Sequence, residues 1–376
     1  KMKLVVISSA PIVQKEGENY LYAPYEKEMQ LWAKHANSIQ FCCPIWKEDK
    51  KLLIAPISFE TTPTIELKEF DITSFSNMLR AIPNAFVDLI RIFEAMKKAD
   101  HIHLRCPGNM ALLAAVVQIF FPKKVKTAKY AGNWDPKARQ PFTYKLQRWI
   151  LSNTILTKNI QVLVYGDWEN QTKNIKPFFT ATYSESEILN ANFRIQNKDQ
   201  ESIKFLFVGT LSRGKQPLYA IQIVEELFKK GKNVTLDLFG DGAMKSEIET
   251  YIRNNDLESI IQLKGNQSKD AILTAYQNSH FLILPSKSEG WPKVVAEAMF
   301  WGCVPIASPV SCISYMMGNG SRGILLHEKI QEDINQIDMV INNQDFYHKI
   351  ASEGQSWSQQ FTTDKFEAEI SKLLNG

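Results

Sequence analysis

The segment Phe281–Ser308 reads FLILPSKSEGWPKVVAEAMFWGCVPIAS, and its pattern indicates a buried strand, a polar loop and a helix. The strand ends at Pro285. Pro292 favours a helix start, because the N–H that proline lacks would have no partner there. Helix N-termini with a nearby glycine present backbone amides that bind phosphate. Glu289 lies at this entrance and Glu297 follows eight residues later. Since carboxylates accept hydrogen bonds from hydroxyl groups, the segment predicts a site for a phosphate and a sugar.

The two carboxylates alone leave an alternative open, because a Glu-x7-Glu spacing is common in helices by chance. The pair fits equally well an exposed Glu that stabilises the helix dipole and a second, solvated Glu. The neighbouring amides favour the binding site, since those around Gly290 and Trp291 are expected to point toward a ligand. We therefore predict that Glu289, Gly290, Trp291, Pro292 and Glu297 line the site.

A second segment, Phe205–Pro217, reads FLFVGTLSRGKQP and predicts a strand, a basic loop and a helix. The strand ends at Gly209, and the loop carries Arg213 and Lys215. This order is typical of a diphosphate clamp, although it matches neither a Walker A loop nor a dinucleotide fingerprint. A solvated loop lysine is the alternative, because most surface lysines and arginines bind nothing specific.

Apolar strands alternate with amphipathic helices along both halves of the chain, which predicts β–α–β units around parallel sheets. We predict an α/β fold with two Rossmann-like, doubly wound domains that face a cleft, since ligands bind beyond the carboxyl ends of such strands. The predicted strands are Leu4–Ser8, Ser38–Cys43, His101–Leu104, Val125–Tyr130, Gln161–Tyr165, Phe205–Val208, Val234–Phe239, Ile260–Leu263, Phe281–Leu284 and Val304–Ala307. The predicted helices are Pro24–His35, Phe75–Lys98, Asn109–Phe120, Thr143–Asn153, Pro217–Lys229, Lys245–Arg253, Lys269–Asn278 and Lys293–Trp301.

The polar stretch Asn190–Ser202 lacks apolar periodicity and predicts a linker between the domains. We expect an N-terminal domain over residues 1–198 and a C-terminal domain over residues 199–356. A final helix is expected near Trp357–Leu374. The first 200 residues hold 27 basic and 19 acidic side chains and the rest 17 and 21, so the two halves are expected to meet different partners.

Composition excludes several classes of protein. With 376 residues, 44% hydrophobic and 22% charged, the chain is expected to fold into globular domains rather than a disordered or coiled-coil structure. Five cysteines in no zinc or disulfide pattern predict reduced packing residues, and we predict no metal site. The longest apolar stretch, Ala111–Phe121, is too short to cross a bilayer, and Lys1–Lys3 lead directly into a strand. A cytoplasmic protein is the expectation.

Four motifs in order, VGTLSRGK, LFGDG, LKGN and PSKSEGWPKVVAEAM, resemble the donor-binding domain of family 4 glycosyltransferases, which have the GT-B fold. The resemblance covers roughly residues 205–326. It implies that Lys215 neutralises the diphosphate of a UDP-, GDP- or ADP-sugar, and that Glu289 with the following amides contacts the transferred sugar. Glu297 would bind the ribose hydroxyls. The glycines of the motifs that would border the donor are Gly209, Gly240 and Gly265.

One departure from the family concerns the donor loop. The family's usual arginine after the first loop glycine is Thr210 here, and Arg213 is our candidate to replace it. The resemblance also implies transfer with retention at the anomeric carbon. No cofactor or metal is expected, and the sequence contains no Asp-x-Asp motif, which agrees with metal independence.

The first half resembles the family less well. The family's histidine near the reacting sugar has no counterpart in KYAGNWDP, residues 129–136, so Asn133, Trp134, Asp135 and His103 are the acceptor-side candidates. A strand histidine with satisfied hydrogen bonds is the alternative for both His101 and His103. The loop Ser8–Tyr25 is expected to face the acceptor, with an ordinary polar loop as the equal alternative. The final helix is expected to pack back on this domain.

A basic, aromatic stretch occupies Phe121–Ile150, with a single acid, Asp135. It predicts contact with an anionic membrane surface or a lipid diphosphate, while a solvated basic face and nucleic acid are the alternatives. No nucleic-acid motif accompanies it, so we predict no nucleic-acid partner. Its basic residues are Lys123, Lys124, Lys126, Lys129, Lys137, Arg139, Lys145 and Arg148.

Taken together, the sequence predicts a glycosyltransferase that moves a sugar from a nucleotide-diphosphate donor to a glycan or lipid-linked hydroxyl, in cell-surface polysaccharide or lipopolysaccharide assembly. Lys215 and Glu289 are the predicted catalytic residues. Contact with the inner face of the membrane is a further expectation. A nucleotide-sugar epimerase of the same architecture and a non-catalytic protein that binds sugar nucleotides or glycans are the alternatives.

Overall fold

A computed structural model describes residues 2–50, 52–70, 75–192 and 202–375, with the side chains of residues 75–82 and 192 not described. The chain divides into two compact units. Unit 1 comprises Lys1–Phe178 and Glu367–Gly376, and unit 2 comprises Phe179–Phe366.

Unit 1 is built on parallel strands connected by helices. In chain order its elements are β1 (Lys3–Ser8), β2 (Ile12–Lys15), β3 (Glu18–Tyr22), α1 (Ala23–Ala33), β4 (Ser38–Cys43), β5 (Ile45–Trp46), β6 (Ile54–Pro56), β7 (Thr61–Glu66), α2 (Phe75–Lys98), β8 (His101–Cys106), α3 (Asn109–Val117), β9 (Val125–Tyr130), α4 (Phe142–Ser152), β10 (Ile160–Tyr165) and β11 (Ile175–Phe178). Among its described residues, seven strands form a parallel sheet in the order β11-β10-β9-β8-β1-β4-β7. The chain therefore winds outward in both directions from the pair β1 and β8, which is the topological switch point of this sheet.

The prediction of a loop over Ser8–Tyr25 is wrong. It forms β2 and β3, which pair antiparallel, and β3 continues directly into α1. In the described part of unit 1, these strands belong to a small sheet in the order β5-β2-β3-β6. Val13 and Leu21 are fully buried while Glu16, Gly17 and Glu18 are exposed. Each of these two strands has too few apolar residues for a recognisable alternation, so the sequence pattern did not predict them.

Unit 2 repeats the architecture. Its elements are α5 (Ile188–Asn192), β12 (Ile203–Val208), α6 (Pro217–Lys229), β13 (Val234–Phe239), α7 (Lys245–Asn254), β14 (Ile261–Gly265), α8 (Lys269–Asn278), β15 (Phe281–Leu284), α9 (Lys293–Phe300), β16 (Val304–Ala307), α10 (Ile313–Met316), β17 (Ile324–Leu325), α11 (Ile330–Ile341), α12 (Gln344–Ser358) and the first turn of α13 (Thr363–Asn375). Within residues 202–366 of this unit, six strands form a parallel sheet in the order β14-β13-β12-β15-β16-β17, with its switch point between β12 and β15. These two sheets confirm the predicted α/β class.

The predicted helix Trp357–Leu374 is wrong in its extent. Helix α12 continues to Ser358, the chain leaves the helical conformation, and α13 begins at Thr363. The hydroxyl of Thr362 accepts a hydrogen bond from the backbone N–H of Lys365 at 3.1 Å. A threonine at a helix N-terminus satisfies a donor that has no intrahelical partner, which explains the restart.

The bounds of the compact units also differ from the predicted domain bounds at 198/199 and 356/357. Most of the predicted linker, residues 193–201, lies outside the described residues. The preceding residues pack within unit 2: the Tyr183 ring lies 4.8 Å from that of Phe300, and the Gln355 amide donates to the carbonyl of Ala191 at 3.2 Å. Contacts of this kind join residues distant in sequence, so polarity along the chain did not reveal them.

Two expectations about composition can be compared with the structure. All five cysteines are buried and none of them forms a disulfide bond, as predicted. Among the helices that the structure describes, none is long and apolar enough to cross a membrane.

Candidate functional site

The carboxyl ends of β12 and β15 lie side by side at the switch point of unit 2, where ligands of open α/β sheets bind. The loop after β12 carries Lys215, and the loop after β15 carries Glu289. Two hydrogen bonds join these loops: Lys287 N–H donates to the Gly214 carbonyl at 2.9 Å, and the Gln216 side chain donates to the Pro285 carbonyl at 2.7 Å. The topology and these bonds bring together two residues that are 74 positions apart.

Lys215 and Glu289 form an ion pair between Nζ and Oε1. The Glu289 side chain is 9% exposed and that of Lys215 is 30% exposed. A partly shielded pair is held more firmly than a surface pair, because solvent screens it less. The lysine therefore presents a positioned positive charge at the switch point, and the carboxylate a positioned hydrogen-bond acceptor.

The glycines of the candidate site join the strand ends through backbone contacts. Gly209 N–H donates to the Phe239 carbonyl at 2.9 Å, and Gly240 N–H donates to the Gly265 carbonyl at 2.9 Å. Gly240 has φ +139°, and a Cβ at this position would overlap the carbonyl oxygen of Gly209. Only glycine allows such an approach, so its presence at position 240 has a packing cause within the fold.

The entrance to α9 is held by contacts of the Gly290 carbonyl and the Trp291 side chain. The Gly290 carbonyl accepts hydrogen bonds from Ser311 Oγ and Cys312 Sγ, each at 3.2 Å, which fixes the loop before the helix. Trp291 is 8% exposed, and its ring stacks on that of Trp357 at 6.3 Å. The side chain of Trp291 thus packs in an aromatic cluster of unit 2. Pro292 directly precedes α9, as its residue type predicts.

Glu297 has partners other than Lys215. Its Oε1 accepts a hydrogen bond from the Thr182 hydroxyl at 2.8 Å, and its Oε2 accepts one from the Tyr276 hydroxyl at 3.0 Å. Burial, followed by the charge of Glu297, raises the pKa of Tyr276 well above its ordinary value, so this hydroxyl stays a donor. The structure therefore brings Glu289 to Lys215 and holds Glu297 through two hydroxyl groups.

Arg213, the candidate to replace the missing family arginine, pairs with Glu247 on α7. Its side chain is 84% exposed, and its guanidinium lies 3.6 Å from the carboxylate of Glu247. Thr210 is exposed as well. An exposed arginine beside one carboxylate is held weakly, because solvent screens the attraction.

The histidines of unit 1 are buried. His103 Nδ1 and His101 Nε2 lie 2.8 Å and 3.0 Å from the Thr127 hydroxyl, and the His103 ring packs 4.2 Å from Trp32. Burial lowers the pKa of His103 to about 3 and that of His101 to about 4, so both are neutral at physiological pH. Nδ1 of His101 and Nε2 of His103 have no hydrogen-bond partner among the described residues, so the alternative of a histidine with satisfied hydrogen bonds holds for one nitrogen of each ring.

The other acceptor-side candidates form a local turn. Asn133 Oδ1 accepts from the N–H of Asp135 at 2.9 Å, and Asp135 Oδ1 accepts from the N–H of Lys137 at 2.8 Å. Trp134 is 1% exposed, and its Nε1 donates to the Gln171 side chain at 3.0 Å. Trp134 therefore packs inside unit 1, whereas Asn133 and Asp135 are half-buried.

Part of the basic stretch faces inward. Lys126 is 1% exposed and its Nζ donates to the Phe121 carbonyl at 2.7 Å, while burial lowers its pKa to about 8. Lys129 is also 1% exposed. Arg148 donates to the Asp135 carbonyl at 3.1 Å. Burial of these groups could not be read from a count of charges.

Sequence reasoning missed one cluster of charged residues in unit 1. Glu28 on α1, Arg105 on β8 and Lys129 on β9 come together at the carboxyl edge of the sheet. The sequence could have indicated this cluster, because Arg105 and Lys129 each lie near the end of a predicted strand. Nothing in the sequence of α1 distinguishes Glu28 from other surface glutamates. Among the described residues, no group of three or more His, Cys, Asp or Glu side chains could hold a metal ion.

Comparisons with known proteins agree with this architecture. Residues 190–357 match the family model described as Glycosyl transferases group 1. An uncharacterized glycosyltransferase of Methanocaldococcus jannaschii is 28% identical over 161 residues, which are 43% of this chain and 44% of that protein. The chain spans about half the length of the curated relatives it matches.

Several solved structures match over the whole chain, among them the following two. The lipopolysaccharide outer core galactosyltransferase WaaB, in its apo form, has a TM-score of 0.66 at 15% identity and covers 100% of this chain and 99% of that one. HepE of Anabaena, in complex with UDP and glucose, has a TM-score of 0.64 at 16% identity, with 100% of both chains covered. These likenesses show the fold, which is GT-B with two Rossmann-like domains. Residues 190–357 are thus similar to the group 1 glycosyltransferase domain, and the two first relatives matched are named as glycosyltransferases.

Proposed function

We propose that the protein is a glycosyltransferase that moves a sugar from a nucleoside-diphosphate donor to an acceptor hydroxyl. The observation that carries this proposal is the Lys215–Glu289 pair at the switch point of unit 2. A diphosphate leaving group gains negative charge as the glycosidic bond breaks, and a positioned cation stabilises that charge in the transition state. Lys215 supplies the cation without a metal ion.

The ion pair also suggests how donor binding begins. Lys215 is paired with Glu289, so the donor's phosphates must compete with this carboxylate for the ammonium group. When the phosphates bind Lys215, Glu289 is released to accept hydrogen bonds from the sugar hydroxyls. The same two residues thereby bind the leaving group and orient the sugar, which is the arrangement that sugar transfer requires.

The finer assignments belong to this proposal. We assign the protein to family 4 and infer transfer with retention, with Glu297 binding the ribose in place of the Thr182 and Tyr276 hydroxyls. UDP is the first nucleotide to test, since HepE was solved with UDP. Unit 1, with Asn133 and Asp135 at a half-buried turn, is the proposed acceptor side, and unit 2 the donor side. Because WaaB acts on lipopolysaccharide, a cell-surface glycan is the proposed acceptor class.

Membrane contact through residues 121–150 is part of the proposal, and we propose that α4 makes this contact. Phe142 is 77% exposed and Trp149 is 59% exposed, with exposed Lys145 between them at helical spacing. Aromatic rings with a neighbouring lysine suit an anionic membrane interface. Sedimentation with phosphatidylglycerol vesicles should retain the wild-type chain and release a Phe142→Ser, Trp149→Ser variant. Equal sedimentation of both would remove α4 from the proposal.

The experiment that tests the function measures nucleotide release from UDP-, GDP- and ADP-sugars with and without acceptor mixtures. The proposal predicts that one donor class is consumed and that an acceptor accelerates its consumption. Glu289→Gln should lower the rate about 100-fold, as expected when one contact to a reacting group is lost. Nucleotide release that no acceptor accelerates, or conversion of the free nucleotide sugar, would favour the epimerase. Binding without consumption would favour the non-catalytic alternative.

A further inference from the structure

The two loops of the candidate donor site are joined on both sides of Lys215. On one side, the backbone N–H of Lys287 donates to the Gly214 carbonyl at 2.9 Å. On the other side, the side chain of Gln216 donates to the Pro285 carbonyl at 2.7 Å. Residue numbers rise along one loop as they fall along the other, so the loops are joined in antiparallel order. Lys215 therefore lies between two fixed points, and the loop that holds it continues to the carboxylate of the ion pair.

The backbone of Gln216 adopts a conformation that its residue type does not favour. Its φ is +50° and its ψ is +50°, in the left-handed region where glycine is the usual residue. Pro217 follows directly, and a proline restricts the residue before it toward an extended conformation. A residue persists in such a conformation when its surroundings fix it, and such positions cluster at functional sites. Glycine would fill this position without the backbone cost, so the glutamine side chain is expected to have a use of its own.

Stability of helix α6 alone does not explain the glutamine. Gln216 directly precedes α6, at the position where serine, threonine, aspartate, asparagine and glycine cap a helix best. Asparagine and glycine also tolerate the left-handed backbone. In the described structure the Gln216 side chain makes no capping hydrogen bond to α6 and reaches instead to Pro285, just after β15. The side chain thus serves the contact between the two loops rather than the start of its own helix.

This contact determines where the ammonium group of Lys215 can lie. Lys215 and Gln216 are consecutive, and their backbone N–H groups both donate to the Ser212 carbonyl, at 3.1 Å and 3.2 Å. The loop is therefore a tight turn that Gln216 fastens to β15. Gln216 is half-buried, and a hydrogen bond that is partly shielded from water is electrostatically stronger than an exposed one. The pair of Lys215 with Glu289 forms across a gap whose width these backbone positions set.

We propose that Gln216 is a positioning residue of the donor site, which fixes the distance between the cation that binds the diphosphate and the carboxylate that binds the sugar. The proposal rests on the proposed transferase function and adds to its site a residue that acts through Lys215. A nucleoside diphosphate without a sugar uses only the cation of the pair, so its affinity should depend little on Gln216. The transition state needs both contacts at once, and a misplacement of about 1 Å can lower a rate about 100-fold. The rate of transfer should therefore depend on Gln216 more than nucleotide binding does.

Two substitutions separate the side-chain bond from the backbone conformation. Gln216→Gly removes the bond and relieves the left-handed backbone. Gln216→Asn keeps an amide and tolerates this backbone, but it is one methylene too short to reach Pro285. The melting temperature of both variants should stay within about 3 °C of the wild-type value, because the lost bond and the relieved backbone offset each other. Asp256→Gly is the matched control, since Asp256 is exposed, has φ +54° and belongs to the same unit.

Amide hydrogen exchange at residue resolution tests the loop contact without relying on activity. Gln216→Gly and Gln216→Asn should each raise the exchange rate of the Lys287 N–H about tenfold or more, because its bond to Gly214 loses the neighbouring bond that holds the loops together. The Gly240 N–H, which donates to the Gly265 carbonyl at 2.9 Å, is the internal reference and should exchange at the wild-type rate. Unchanged exchange at Lys287 in both variants would overturn the proposal.

Kinetics with the sugar nucleotide that the wild type consumes tests the positioning role. Both Gln216 variants should lower kcat about tenfold or more, while the affinity for the corresponding nucleoside diphosphate, measured by calorimetry, stays within about threefold. Asp256→Gly should change neither quantity. An unchanged kcat in both Gln216 variants would overturn the proposal and leave the transferase intact. A loss in Gln216→Gly that Gln216→Asn does not share would overturn it too, because loop flexibility rather than the bond would then be the cause.

The two measurements also separate this inference from the function on which it rests. If the wild type consumes no sugar nucleotide, the transferase fails, while exchange at Lys287 still decides whether Gln216 holds the two loops together. If a sugar nucleotide is consumed and both exchange and kcat are unaffected by the Gln216 variants, the transferase stands and the positioning role is lost.

Discussion

The two switch points share one topology but hold their charges differently. In unit 2, Lys215 and Glu289 stand on loops, and one cation meets one carboxylate. In unit 1, two cations stand on strands and meet Glu28 from a helix, with Lys129 1% exposed. The topology therefore decides where a ligand can bind, while the side chains decide its charge. In unit 2 the pair is partly exposed, so a donor phosphate can compete with Glu289 for Lys215, whereas in unit 1 Lys129 is buried against Glu28.

The largest expected effect tests whether backbone packing builds the switch point of unit 2. Gly240→Ala puts a Cβ against the Gly209 carbonyl at a φ of +139°, so the two strand ends must separate. We expect a loss of about 4 kcal/mol or more in the free energy of unfolding, measured in urea. Gly231→Ala is the control, since Gly231 has a positive φ but no atom within 4 Å of an added Cβ, and it should cost about 1 kcal/mol. Equal losses would mean that the close approach is absent.

A pH dependence comes next and belongs to unit 1. Burial lowers the pKa of His101 to about 4 and of His103 to about 3, so the unfolded chain binds more protons than the folded chain below pH 6.5. Stability is therefore present above pH 6.5 and falls as the pH decreases, by about 2 kcal/mol per histidine at pH 5. Burial alone would raise the pKa of Glu28, but the charges of Lys129 and Arg105 lower it to about 2, so this carboxyl adds a loss only below pH 4.5.

Urea unfolding at pH 7.5 and at pH 5 measures this difference, and His103→Asn provides the control. The variant should lose about half of the pH dependence, whatever its stability at pH 7.5. An unchanged dependence would show that His103 titrates normally, and the packing of β8 would have to be reconsidered.

A smaller effect separates packing from acceptor binding in unit 1. Trp134→Phe removes a hydrogen bond to Gln171 and part of a fully buried ring, so we expect a loss of about 1–2 kcal/mol in stability. The KM for an acceptor should not change, because the ring is 1% exposed. A raised KM with unchanged stability would return Trp134 to the acceptor site.

The smallest expected effect concerns Arg213. Its side chain is 84% exposed beside Glu247, so Arg213→Ala should change stability by less than about 0.5 kcal/mol. The KM for the nucleotide sugar should stay within about twofold of the wild-type value. A tenfold rise would mean that Arg213 turns toward the diphosphate when the donor binds, and would support its assignment as the missing family arginine.

The sequence predicted unit 2 more fully than unit 1, and the reason is local. Strand β15, the loop with Glu289 and helix α9 are consecutive, so residue type and spacing reveal them, as they do Lys215 after β12. The order of strands then brings the two loops together. Glu28 and Arg105 are 77 positions apart and belong to elements with no motif, so their contact depends on how α1 packs at the sheet edge.

Other errors have the same physical origin. The hairpin β2–β3 was presented as a loop because its buried residues alternate over only a few positions. Lys126 and Lys129 were counted as part of a basic surface, although the strand they share turns both toward buried partners. Local pattern predicts elements, whereas burial of a charge depends on partners from distant parts of the chain.

The central claim is that Lys215, at the switch point of unit 2, binds the donor's diphosphate, and that Arg105, at the switch point of unit 1, does not. Calorimetric titration of UDP, or of whichever nucleotide the donor screen selects, into wild type, Lys215→Ala and Arg105→Gln tests it most directly. The account predicts that Lys215→Ala weakens nucleotide binding roughly tenfold or more, the loss of one charge-assisted contact, while Arg105→Gln leaves it within about twofold. Nucleotide binding that survives Lys215→Ala and is lost in Arg105→Gln would contradict the account.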